Sequence, residues 1–172
     1  MPPPTRFATD ASLEFLARRL RFLGYDVITH RGARLEELFE VAARDDRTVL
    51  TLSLRHPRRW AAVPSVRVER GAEAAAVRAI AAAHEPAGPP FSRCPRCGGA
   101  LLRRSAFEAV GEVPGRVTRA GGPLTFCPAC GQWFWLGSHV ARLVGWLEAA
   151  LGRPVALPAA DAPDAGAPGE PA

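Results

Sequence analysis

The sequence contains no lysine, so every one of its 22 basic side chains other than histidine is an arginine. With abundant Ala, Pro and Gly beside it, this reads as compositional bias and carries no functional weight. No basic, apolar, small-residue succession follows Met1, where Pro2, Pro3 and Pro4 lead straight into Thr5-Arg6-Phe7, so a secretory signal is not expected. No apolar run approaches the roughly 20 residues that a membrane helix needs. There is no internal repeat. These absences point to a cytoplasmic protein without a membrane partner, and nothing calls for a small-molecule organic cofactor. Oligomeric state is not set by the sequence.

Cysteine is also absent from the first 93 residues, which must build a core from Leu, Val, Ile, Phe and Ala. All four cysteines fall between 94 and 130. A chain of 172 residues accommodates a compact domain of about 90 residues plus a small metal-stabilised module. The expected organisation is a first domain over 1–85, a Pro-rich linker over 86–92, a ribbon with a C-terminal helix over 93–151, and a disordered tail over 152–172. Charge is unevenly spread: residues 1–85 hold 14 Arg and 11 acids, whereas 86–158 hold 8 Arg and 3 acids. The second module is the basic part, which suggests a polyanionic partner.

Within the first domain, a short extended run ends at Asp10, and apolar residues at 13, 16, 17, 20 and 23 then mark one helix face that stops at Gly24. Strands are expected at 27–29, 48–52 and 66–69, with helices over 34–45 and 72–84 and a short helical turn near Trp60. This fourfold alternation predicts an α/β fold, a parallel sheet flanked by helices. Beyond Pro86-Ala87-Gly88-Pro89-Pro90 the spacing changes. From Ser138, a candidate helix cap, it becomes helical again through Val140, Leu143, Val144, Leu147 and Leu151.

Cys94-Pro95-Arg96-Cys97-Gly98 and Cys127-Pro128-Ala129-Cys130-Gly131 are two similar turns, each offering two thiolates and a glycine where a positive φ is needed. Four thiolates satisfy tetrahedral zinc, so Cys94, Cys97, Cys127 and Cys130 are read as ligands of one structural zinc. Disulfides and a redox motif are the alternatives, disfavoured in a reducing compartment. Gly121-Gly122-Pro123 is expected to turn a hairpin arm between the knuckles. Trp133 and Trp135 should share one face of a strand, either stacking on bases or packing inside the module. His139 could orient or contact RNA. Arg18 and Arg21 lie off the apolar stripe of the first helix and, with Arg55, could hold phosphates.

Arg6-Phe7-Ala8-Thr9-Asp10, continuing through Leu16-Ala17-Arg18-Arg19-Leu20-Arg21-Phe22-Leu23-Gly24-Tyr25-Asp26, resembles the opening signature of the Mut-seven C-terminal ribonuclease domain family. Glu36-Glu37-Leu38, Val49-Leu50-Thr51, the cysteine turns and Trp135-Leu136-Gly137-Ser138-His139 extend the resemblance. It implies a PIN-like nuclease fold followed by a zinc ribbon and a C-terminal helix. It also implies a hydrolase that cuts single-stranded RNA with Mg²⁺ or Mn²⁺ held by acids at the strand ends. Asp10 would be one of these, with Asp26, Glu36 and Glu37 brought near it. Two departures stand out. Where the family has an acid after the third strand, this chain has Ser53, and the loop usually rich in Asp is His30-Arg31-Gly32-Ala33-Arg34-Leu35. The readings left open are a metal-dependent endoribonuclease with a depleted acidic site, a catalytically silent RNA-binding protein, and a protein-interaction adaptor.

Overall fold

Four short runs rich in β-branched and apolar residues become four parallel strands, β1 (Phe7–Asp10), β2 (Val27–His30), β3 (Thr48–Thr51) and β4 (Ser65–Arg67), in the order β2-β1-β3-β4. The computed structural model describes residues 5–158. Between the strands run helices α1 (Glu14–Phe22), preceded by a single 3-10 turn, and α2 (Leu35–Arg44), with α3 (Glu73–Ala83) after β4. Strand alternation divides the core into two layers. Phe7, Val27 and Leu50 join the side chains of α1 and α3, while Ala8 and Val49 meet Leu38, Phe39 and Ala42 of α2. The α/β expectation with a parallel sheet covered by helices therefore holds, and β1 is one of its two interior strands.

The second unit is a three-stranded antiparallel sheet, β5 (Leu102–Arg104), β6 (Leu124–Cys127) and β7 (Gln132–Trp135), in that order. Between β5 and β6 the chain forms a short helix, α4 (Gly115–Arg119). Gly121 to Pro123 thus joins that helix to β6 and is not the tip of a hairpin arm. Ala109, Val113 and Leu124 cluster with Val117 and Trp133, so burying these side chains folds the insert back over the sheet.

Helix α5 (Ser138–Leu151) belongs by packing to the first unit. Its Leu147 is fully buried in the same cluster as Phe7 and Leu16, with Leu143, Val144, Trp146 and Leu151 around it. The cap position is Gly137, without a side-chain cap bond, and Ser138 is the first helical residue, so the expected serine cap does not form. The Pro-rich segment is docked as well: Phe91 donates its N–H to the Phe22 carbonyl at 2.8 Å and sets its ring edge-on to Phe22, centroids 5.6 Å apart. Past the helix, Val155 is buried in the main core and its N–H reaches Glu148 Oε1 at 3.1 Å, so this residue packs within a stretch where the composition suggests disorder. The rest of the expected tail, and residues 1–4, lie outside the described residues.

Candidate metal centre and acidic edge

The two knuckles bring four sulfurs together. Each offers one Sγ, and all lie within 4.8 Å of one another. Cys94 and Cys130 are 3.7 Å apart and Cys97 and Cys127 3.5 Å, too far for a disulfide. A tetrahedron with bonds of about 2.3 Å has edges of about 3.8 Å, so the donor set fits zinc. Backbone bonds shape each turn: Gly98 N–H reaches the Cys94 carbonyl at 2.8 Å, and Gly131 N–H reaches that of Cys127 at 2.8 Å. Both glycines have positive φ, +83° and +69°, as their place after the second cysteine predicts. Without metal, burial pushes the Cys94 thiol up to about 12. Burial also opposes ionisation of Cys97, but the Gly99 N–H and the neighbouring thiols outweigh it and lower that thiol.

The first knuckle is seated on β2, an edge strand, and Arg21 holds it there. Arg21 is 1 % exposed. Its Nε donates to the Val27 carbonyl at 2.8 Å, and its Nη1 to Glu14 Oε1 and the Pro95 carbonyl, both at 3.0 Å. Nη2 donates to Thr29 Oγ1 at 2.7 Å. All three guanidinium nitrogens are consumed inside the protein, so Arg21 is not a phosphate ligand. The reading from helix spacing failed because the ribbon covers that flank of α1. Glu14 is the counter-charge of Arg21 and also accepts from Thr29 Oγ1 at 2.6 Å.

The acids expected around Asp10 are not all gathered there. Asp10 closes β1, in register with His30 of β2, and its carboxylate accepts the Ser12 N–H at 2.8 Å and the Ser12 hydroxyl, which is the capping arrangement. Asp26 precedes β2 and therefore lies at the opposite end of the sheet, roughly 13 Å away along the strands. There it pairs with Arg47 at 2.8 Å and lies 3.5 Å from Arg6 and 3.9 Å from Arg93. Glu37 shares the Asp10 edge, but Arg34 Nε donates to it at 2.7 Å and His30 Nε2 lies 3.5 Å off. The Arg34 hydrogen bond holds the Glu37 carboxyl below the ordinary range, against a smaller desolvation effect. Glu36 is exposed in the first turn of α2. Ser53 accepts the Arg55 N–H at 3.0 Å, and Arg55 itself is exposed in the loop beyond. Among the described residues, the four cysteines are the one group of three or more Cys, His, Asp or Glu donors drawn close enough to hold an ion.

The β6–β7 register puts Trp133 and Trp135 on one face, with Phe134 on the other. Trp133 packs against Phe126, centroids 5.1 Å apart, and joins the ribbon core as a partly buried side chain, while Trp135 stays 38 % exposed. Arg18 and His139 face one groove between the two units, together with Arg96, Arg142, Phe134 and Trp146. Those last four are not among the RNA-contacting residues expected from the sequence. His139, Arg142 and Trp146 follow one another at three- and four-residue spacing on a helix, which is the signal that could have found the last two.

Fold and site define the class: a parallel α/β domain joined to a cysteine-rich ribbon able to hold a metal ion such as zinc. The chain matches the Mut7-C RNAse domain family over residues 5–147 and belongs to that family. The family gives it a nuclease-like, RNA-related function. No curated protein and no solved structure matches the chain. No helix among the described residues is long and apolar enough to cross a membrane.

Proposed function

We propose that the chain is an RNA-binding protein on a ribonuclease fold, with one structural zinc in the ribbon and without an assembled divalent-metal site for cleavage. The observation that carries this reading is the dispersal of its carboxylates. Asp10 caps a helical turn, Asp26 sits at the far end of the sheet among arginines, Glu37 is paired with Arg34, and Ser53 stands where an acid is expected. Hard divalent ions need several carboxylate oxygens converging on one point.

A second reading, a metal-dependent endoribonuclease acting on single strands, is favoured by the position of Asp10. It ends one of the two interior parallel strands, at the sheet edge where open α/β folds place their ligands. The two readings separate when single-stranded RNA is incubated with Mg²⁺ or Mn²⁺ and the wild type, Asp10→Asn or Ser53→Asp. The expected result is intact RNA bound by the wild type, with affinity falling as salt rises. Cleavage by the wild type that Asp10→Asn abolishes would establish the second reading instead.

A further inference from the structure

We infer that the groove of about 630 Å³ between α1, the first knuckle, β7 and α5 is the site at which this protein takes single-stranded RNA. The inference rests on the RNA-binding reading above and adds the place and the form of the ligand. The groove is composite: Arg18 comes from α1, Arg96 from inside the first knuckle, Phe134 from β7, and His139, Arg142 and Trp146 from α5. Among the described residues no carboxylate lines it. Glu14 lies 3.9 Å from Arg18 but is already engaged by Arg21 and Thr29, which leaves the groove strongly positive.

Its charged groups are all donors, and Gln132 is the polar side chain beside them that can also accept. Arg142 Nη2 lies 2.7 Å from His139 Nδ1, and because a guanidinium can only donate, Nδ1 accepts and the ring hydrogen sits on Nε2. His139 therefore presents an N–H in a groove also lined by the guanidinium groups of Arg18, Arg96 and Arg142, a set that suits successive phosphates. The apolar groups are aromatic: Phe134 and Trp146 are half-buried, so their faces are reached only by bases that are not already stacked in a duplex. The Arg19 guanidinium lies 3.0 Å from the Phe15 ring centroid and 4.7 Å from that of Trp146, which fixes the tryptophan between the two helices. A cationic wall facing recessed rings selects a single strand over a duplex.

The test compares two double variants of equal charge loss in the full chain, using a fluorescent single-stranded oligoribonucleotide and its duplex. Arg96→Ala with Arg142→Ala empties the groove of two exposed cations, whereas Arg116→Ala with Arg119→Ala removes two exposed cations from the ribbon insert. The groove variant should bind the single strand at least about 10-fold more weakly and lower the salt slope by about 1.4, at about 0.7 per phosphate contact. The insert variant should change affinity less than about 3-fold, and the duplex should bind more weakly than the single strand. Quenching of tryptophan fluorescence by RNA should shrink in Trp146→Phe. Equal losses from both double variants, or a preference for duplex, would overturn the assignment while leaving RNA binding intact. Absence of binding by the wild type would instead remove the RNA-binding reading itself.

Discussion

Arg21 Nη1 donates to the main-chain carbonyl of Pro95 at 3.0 Å, so a buried cation of the first helix is a ligand of the first knuckle's backbone. Replacing it strands the carbonyls of Val27 and Pro95 and leaves Glu14 without its main counter-charge. Arg21→Leu should therefore cost about 3 kcal/mol or more in urea unfolding. A loss below about 1 kcal/mol would contradict the structural role given to this side chain.

The knuckle glycines provide a graded comparison. An added Cβ at Gly131 meets nothing within 4 Å, so Gly131→Ala carries only the cost of its positive φ, about 1–2 kcal/mol. At Gly98 the same atom would lie 2.6 Å from the Val27 carbonyl oxygen, which is main chain and cannot swing away. Gly98→Ala should be clearly more destabilising than Gly131→Ala. Equal thermal shifts would show that the knuckle does not rest on β2 as described.

Asp10 supplies a cap bond, and serine can supply one too. Asp10→Ala should lose about 1 kcal/mol, while Asp10→Ser should stay close to wild type in stability. If Asp10→Ser instead abolishes a metal-dependent cleavage that the wild type performs, the carboxylate has a role beyond capping.

Freshly purified protein should contain about one zinc per chain, and Cys127→Ser about half of that or less. Because the first knuckle meets α1 through Arg21, chelation should also speed amide exchange in α1 and β2, outside the ribbon. Exchange changes confined to the ribbon would argue against that coupling.

Glu37 should titrate below the ordinary glutamate range in a carboxyl-detected pH series, since the Arg34 hydrogen bond favours its charged form. A depressed carboxylate stabilises the fold above its unfolded pKa and loses that contribution as pH falls through the folded value. The effect therefore appears only on the acid side, below the ordinary glutamate value of about 4.3. Arg34→Ala should move the titration back towards that value. An unchanged midpoint would assign the shift to another neighbour.

Alternation of strand and helix, and the paired cysteine turns, are legible in the sequence because each rests on local rules: periodicity, β-branching and ligand spacing. What escapes is where distant surfaces meet. Position 21 falls beside the apolar stripe of α1 and reads as a solvent-facing arginine, yet the arrival of the first knuckle turns that flank into interior. The same holds for α5, which follows the ribbon in the chain but fills the first domain. Asp26 looks like a companion of Asp10 until the parallel register places one before β2 and the other at the end of β1. The acidic edge is thus the least legible part, since a carboxylate's role depends on which end of the sheet it occupies.

Leu147 and Phe7 share one core cluster although about 140 residues separate them. On a ribosome adding about 5–20 residues per second, the first strand waits on the order of 10 s before the helix that completes its core exists. During that interval the surface of α3 that α5 packs against is open, and its apolar side chains are exposed to other chains. The protein's exposure to aggregation is therefore set by its last helix, and a chain ended shortly before Ser138 should be recovered mainly in insoluble form.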